Sequence, residues 1–201
     1  MYIMRIELGD YIKAMNCPQL MHGAIESSFE TYPLRKLWRI DKINGRYYLL
    51  VVCSERSDLS KVKKDFCRPD AECGSKSYDD YLNSIENGSK WRFRLAAFPS
   101  YKKTRNGDNK VHAHCTEGYQ KAWLKSQAAK HGFYTRDDWF EVSSVRDINF
   151  RKKKENNVWF KECVFNGILT VTDADAFRKA LVNGIGHRKA YGMGMLSVCK
   201  Y

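Results

Sequence analysis

Paired cysteines at redox or metal spacing are missing from this chain. It carries seven cysteines, Cys17, Cys53, Cys67, Cys73, Cys115, Cys163 and Cys199, an odd number with no Cys-x-x-Cys among them. Cys53 and Cys163 sit in apolar runs, the usage of a reducing compartment and not of a disulfide scaffold. No apolar run approaches the roughly 20 residues of a membrane-spanning helix. Arg5, Glu7 and Asp10 interrupt the opening residues, so no signal peptide is expected there. Internal repeats and low-complexity tracts are absent as well. Together these absences predict a cytoplasmic protein with no membrane partner.

Acidic charge is also in deficit. Asp and Glu total 23 against 35 Lys and Arg, a formal net charge of +12. A surplus of that size favours polyanions, because each neutralised phosphate releases condensed counterions. The chain has 201 residues and is 43% hydrophobic, enough for one large domain or two small ones in tandem, with a buried core that needs no staples.

Residues 2–8 alternate and are β-rich, which reads as a first strand. After Gly9 and Asp10, Asn16 is placed to cap a helix with Pro18 in its first turn. Met21, Ala24, Ile25, Ser28, Phe29 and Tyr32 follow at helical spacing, and Pro33 ends the helix. Residues 34–43 and 46–53 read as strands joined at Asn44-Gly45, a strong hairpin signal. Asp58 opens a short helix bearing Leu59, Val62 and Phe66. Residues 67–90 read as a polar loop with a helical turn near 81–85, and 91–97 as a strand. The order β-α-β-β-α-β is that of a ferredoxin-like unit and defines an N-terminal domain over residues 1–99.

Residues 100–110 are basic and turn-rich, and are expected to be a linker. Residues 111–201 repeat the outline. A helix over 117–131 is followed by a turn near 136–140. Residues 144–150 and 158–172 form two hairpin arms with their tip at 151–157. A helix capped by Asp173 or Asp175 runs to Val182, and 193–199 is a closing strand. The fold class is α+β: two tandem ferredoxin-like (RRM-like) domains.

Three segments are distinctive. One is Asn166-Gly-Ile-Leu-Thr-Val-Thr-Asp with Val182-Asn-Gly-Ile-Gly-His-Arg-Lys-Ala-Tyr-Gly-Met-Gly-Met-Leu-Ser. It resembles the glycine-rich loop of the RAMP superfamily of CRISPR-associated proteins. The others are Gln19-Leu-Met-His-Gly-Ala-Ile after the first strand and Trp91-Arg-Phe-Arg-Leu-Ala-Ala-Phe-Pro. In this order, and over nearly the whole chain, they are similar to the CasE family, the repeat-processing endoribonucleases of type I-E CRISPR systems. The resemblance implies two ferredoxin-like domains and cleavage of a CRISPR repeat RNA hairpin at its stem base without metal or cofactor. It also implies retention of the guide RNA beside the other Cascade subunits.

Cutting RNA without metal requires a proton to leave a 2′-hydroxyl, whose oxygen attacks the adjacent phosphorus in line. The departing 5′-oxygen needs a proton and the transition state needs cations, giving 2′,3′-cyclic phosphate and 5′-hydroxyl ends. Histidine is the natural acid or base near neutrality. Of the five histidines, His22 lies off the apolar stripe of its helix. Taken alone it reads as an idle surface residue; in its Met21-His22 context it matches the family's histidine, which makes it the catalytic candidate. Glu26, one turn on, can orient it. Some relatives carry a tyrosine three residues before this histidine. Gln19 stands there instead; it can position groups but cannot act as a general acid. The second role is left to Lys, Arg or water.

His112, His114 and Cys115 form a compact cluster that reads as part of a metal site or as a solvated, phosphate-contacting linker. Zinc needs about four ligands and no second half is evident. His131 falls at a helix C-terminus, a favourable place for a cation, and His187 lies in the glycine-rich loop. Gly184, Gly186, Gly192 and Gly194 permit either close backbone approach to RNA or a tight turn before an edge strand. Their spacing is neither a Walker loop nor a dinucleotide fingerprint. Arg188 and Lys189 add charge there. Two basic clusters, Lys102, Lys103 and Arg105 beside Tyr101, and Arg151, Lys152, Lys153 and Lys154, suit the phosphates of an A-form stem. Trp38, Tyr47 and Phe93 either stack bases or fill the core. No Asp/Glu constellation for two metals stands out.

Overall fold

The computed structural model describes residues 1–31, 34–105, 108–151 and 157–201. Strand β1 (Tyr2–Glu7) turns Met4 and Ile6 into the core and leaves Arg5 exposed, as strand alternation requires. The Asp10 carboxylate then accepts from Lys13 N at 3.0 Å and caps a short helix, α1 (Tyr11–Asn16). Helix α2 (Pro18–Glu26) begins at once, with Pro18 in the position where a missing N–H costs nothing. Asn16, expected as its cap, is instead the last residue of α1, and Cys17 precedes α2. The helix stops at Glu26, short of Pro33, where the Ser28 hydroxyl donates back to the Ala24 carbonyl at 2.8 Å. Met21, Ala24 and Ile25 are its buried face.

Strands β2 (Leu37–Ile43) and β3 (Arg46–Cys53) pair across Asn44-Gly45, both at positive φ (50° and 82°), as the tight hairpin turn demands. Helix α3 (Ser60–Phe66) buries Val62 and Phe66. Strand β4 (Cys73–Ser77) and helix α4 (Asp79–Asn83) follow. The antiparallel sheet has the order β2-β3-β1-β4, the ferredoxin-like arrangement. Met4, Ile6, Met21, Ile25, Trp38, Leu49, Val51 and Phe66 belong to its core cluster.

The fourth strand is a correction to the sequence reading, which gave that place to residues 91–97. β4 is Cys-Gly-Ser-Lys-Ser, an edge strand with no apolar alternation, so periodicity does not reveal it. Strand β5 (Lys90–Ala97) instead starts a second sheet, pairing Trp91 with Leu169 and Phe93 with Gly167. The expected linker at 100–110 is a correction too: it is a β-hairpin, β6 (Ser100–Arg105) with β7 (Asp108–Ala113).

Helix α5 (Glu117–Lys130) buries Trp123, Leu124 and Ala128. It leads to β8 (Phe133–Tyr134), then to the long pair β9 (Phe140–Arg151) and β10 (Asn157–Val171). Asp173 caps helix α6 (Ala174–Asn183), its carboxylate accepting from Asp175 N and Ala176 N at 3.0 Å. Strand β11 (Leu196–Lys200) closes the sheet, whose order is β11-β5-β10 with β8 and β9 alongside β10. The element order again is ferredoxin-like, with β6–β7 inserted after the first strand. The chain divides into one unit of Met1–Ser84 with Lys189–Gly192, and another of Ile85–Arg188 with Met193–Tyr201. No described helix is long and apolar enough to cross a membrane.

Candidate active site

His22 projects from α2 on the side away from Met21, Ala24 and Ile25, and its side chain is 36% exposed. Its Nδ1 lies 3.8 Å from Glu26 Oε1, one turn along the helix. The other carboxylate oxygen, Oε2, accepts from Lys36 Nζ at 2.7 Å. The Lys36 side chain is only 1% exposed, and its ammonium also lies 5.2 Å from the Phe29 ring centroid. A buried ammonium needs a partner, and Glu26 supplies one. The carboxylate is thereby fixed, with one oxygen on Lys36 and the other toward the imidazole.

These groups open into a cavity of about 430 Å³ lined by His22, Glu26, Leu34, Arg35, Lys36, Lys189 and Ala190. Gln19 is not among the described lining residues. Sequence reasoning reached His22, Glu26 and Lys189 but missed Arg35 and Lys36. The available signal was a lysine beside Leu37 and Trp38 at the start of a strand, a charge in an apolar run that demands a partner.

Lys189 reaches the cavity because the glycine-rich loop makes a single turn of 3-10 helix over Lys189–Tyr191, closed by Gly192 N donating to Lys189 O at 3.2 Å. Gly192 has φ +84°, and a Cβ there would lie 2.9 Å from Cζ3 of the buried Trp38 ring. Gly186, at φ +79°, stands in the same relation to Trp123, at 3.0 Å. At these two positions the close approach that needs glycine is to tryptophan. Gly192 and Gly194 are buried, and the Gly194 amide donates to Ala96 O at 2.7 Å. Arg188 is exposed with φ +64°, its guanidinium over the rings of Phe98 and Phe160 at 6.0 and 5.8 Å. Burial, with Arg35 close by, pushes the Lys189 ammonium below the usual lysine value.

Lys102 and Lys103 are exposed on β6, and Arg105 ends that strand. At the base of this hairpin Tyr101 stacks on His112 at 5.5 Å and meets His114 at 4.9 Å, and His114 stacks on Tyr119 at 5.7 Å. Burial holds His114 below the usual histidine value. Among the described residues no group of three or more His, Cys, Asp or Glu is arranged to hold a metal. Arg151 is exposed at the end of β9, while Lys152, Lys153 and Lys154 lie outside the described residues. His131 caps the C-terminus of α5 and His187 is exposed in the loop. Of the aromatics weighed for base stacking, Trp38 and Phe93 are buried, and Tyr47 stacks on Tyr11 at 3.9 Å. All three are engaged in packing.

The chain is similar to several known proteins. CRISPR-associated endoribonuclease Cse3 of Thermus thermophilus is 29% identical over 186 residues, spanning 87% of this chain and 84% of its own. A solved structure of CRISPR endoribonuclease Cse3 bound to a 19-nucleotide RNA is similar with a TM-score of 0.83 at 24% identity, covering 99% of this chain and 100% of that one. A chain of a CRISPR RNA-guided surveillance complex is similar with a TM-score of 0.70 at 20% identity, with 100% of both chains covered. The sequence model of the family described as CRISPR associated protein matches residues 1–200. By that match the chain belongs to the family of CRISPR-associated proteins.

Proposed function

We propose that this chain is an endoribonuclease that binds the hairpin of a CRISPR repeat RNA, cuts at the stem base without metal, and stays bound to the guide RNA as a Cascade subunit. The observation that carries the reading is His22 in a cavity with three cationic residues, Arg35, Lys36 and Lys189, its Nδ1 faced by the fixed carboxylate of Glu26. In this reading Nε2 of His22 takes the proton of the 2′-hydroxyl. The oxygen attacks phosphorus in line, and cationic side chains stabilise the charge that builds on the phosphoryl oxygens. The ends are a 2′,3′-cyclic phosphate and a 5′-hydroxyl.

Binding of the stem falls to Lys102, Lys103 and Arg105 on the β6–β7 hairpin and to the basic run Arg151, Lys152, Lys153 and Lys154, with Gly186, Arg188 and Lys189 from the loop. An A-form stem presents regular phosphates and a major groove too narrow for a helix, which suits basic hairpins. The net charge of +12 supports this, as do the RNA-bound Cse3 and the surveillance complex among the similar structures. One observation favours a second reading, a non-catalytic RNA-hairpin-binding subunit of the same complex. Gln19 occupies the place where some relatives have a tyrosine, and an amide cannot donate a proton in catalysis.

Incubating the protein with the CRISPR repeat RNA of its own genome in EDTA, then mapping the ends and the retained product, decides between them. One cut at the stem base with a cyclic phosphate, and product still bound, is the expected result. Tight binding with intact RNA supports the second reading.

A further inference from the structure

We propose that Lys189 is a second catalytic residue, the ammonium that protonates the departing 5′-oxygen while His22 takes the proton of the attacking 2′-hydroxyl. The inference rests on the ribonuclease reading above and deepens it by filling the role that Gln19 cannot fill.

Of the described residues that line the cavity, only Lys189 is suited to give up a proton there. Leu34 and Ala190 have no proton to give, and Glu26 is committed to Lys36 and His22. Lys36 has a side chain 1% exposed and an ammonium 2.7 Å from Glu26 Oε2, so it holds the carboxylate and does not meet a substrate. Arg35 is exposed and suits a phosphate oxygen, but a guanidinium does not surrender its proton. Lys189 remains, a half-buried lysine on the cavity wall. It is held there by features that no solvated lysine requires: the turn closed from Gly192 N to Lys189 O, and the seating of Gly192 on the Trp38 ring. Desolvation of its ammonium, with Arg35 as a second cation, makes it a stronger acid than an exposed lysine.

The step balances without an external reagent. The O2′–H bond breaks and its proton goes to Nε2 of His22. The O2′–P bond forms and the P–O5′ bond breaks, and O5′ takes a proton from Nζ of Lys189. The products are the cyclic phosphate, the 5′-hydroxyl, an imidazolium and a neutral amine, which exchange one proton through water to restore the enzyme.

The test compares two repeat RNAs, one ordinary and one with sulfur in place of the bridging 5′-oxygen at the cut. A thiolate leaves without protonation, so the sulfur substrate no longer needs the acid. Lys189→Met is expected to slow single-turnover cleavage of the ordinary RNA by roughly 10²–10⁴, and of the sulfur RNA by less than about tenfold. His22→Ala is expected to slow both. If Lys189→Met fails to fold, Lys189→Arg replaces it. Arginine keeps the charge but is a poor donor, so slow cleavage of the ordinary RNA with recovery on the sulfur RNA supports the proposal. Equal loss on both substrates, or full activity of either variant on the ordinary RNA, overturns it while leaving the ribonuclease reading intact. A wild-type chain that cuts neither RNA overturns both.

Discussion

The carboxylate of Glu26 stands 3.8 Å from Nδ1 of His22, one helical turn further along α2. That contact exists because Lys36, buried at the edge of the cavity, holds the same carboxylate by its other oxygen at 2.7 Å. Removing Glu26 deprives a buried ammonium of its carboxylate and an imidazole of its guide. Glu26→Ala is therefore expected to cost about 1–3 kcal/mol of stability and to lower cleavage while RNA affinity stays near wild type. Urea unfolding and single-turnover kinetics on one preparation check both. Undiminished cleavage at unchanged stability would show that the contact is incidental.

Two glycines offer an internal contrast. Gly192→Ala must place a Cβ 2.9 Å from Trp38 at φ +84°. It is expected to destabilise by about 2–4 kcal/mol, combining left-handed strain with overpacking. Gly23, exposed in the interior of α2, has nothing within 4 Å of its would-be Cβ. Gly23→Ala is expected to stabilise by roughly 0.5–1 kcal/mol through helix propensity and loss of unfolded-state freedom. Matching denaturant midpoints for the two variants would contradict the seating of the loop on Trp38.

Much of this was legible in the sequence, and the reasons for the rest are physical. Strands with apolar alternation, the Asn44-Gly45 turn and an aspartate cap at 173 or 175 all declare themselves locally, and each is found, the cap being Asp173. β4 does not, because an edge strand of Cys-Gly-Ser-Lys-Ser buries too little to leave a pattern. Misreading it moved Trp91–Ala97 into the wrong sheet, since a strand's partners are a non-local property that periodicity cannot supply. The β6–β7 hairpin was hidden for the opposite reason. Its lysines read as a solvated linker, although a two-stranded ribbon has no need to bury them. At the site, His22 and Glu26 are neighbours by helical spacing and could be paired on paper. Lys36 and Lys189 join them only through the tertiary fold.

The basic hairpin should reveal itself through salt. Neutralising Lys102, Lys103 and Arg105 together is expected to weaken RNA binding and to reduce the slope of log affinity against log salt by roughly 2–3 units, since fewer counterions are released. Titrations at several ionic strengths read the slope directly. A parallel line at lower affinity would mean that these side chains do not sit on phosphates.

Thiol chemistry tests the burial pattern without RNA. Cys115 and Cys199 are exposed, whereas Cys53 and Cys163 are buried, and burial pushes the Cys163 thiol up to about 12. A raised value means less thiolate, on the order of 10⁻⁴ of Cys163 at pH 8. Alkylation at that pH is expected to label Cys115 and Cys199 first, and Cys53 and Cys163 only in denaturant. Mass spectrometry of partly labelled protein reads the order, and early labelling of Cys163 would contradict the packing of β10.

The central claim, that His22 performs the chemistry, meets its most direct test in the single-turnover cleavage of repeat RNA in EDTA by wild type and by His22→Ala. One imidazole contributes few contacts, so RNA affinity should hardly change, while cleavage should fall by roughly 10²–10⁴, the range for a positioned acid or base. A His22→Ala protein that binds as before and cuts at the wild-type rate contradicts the account.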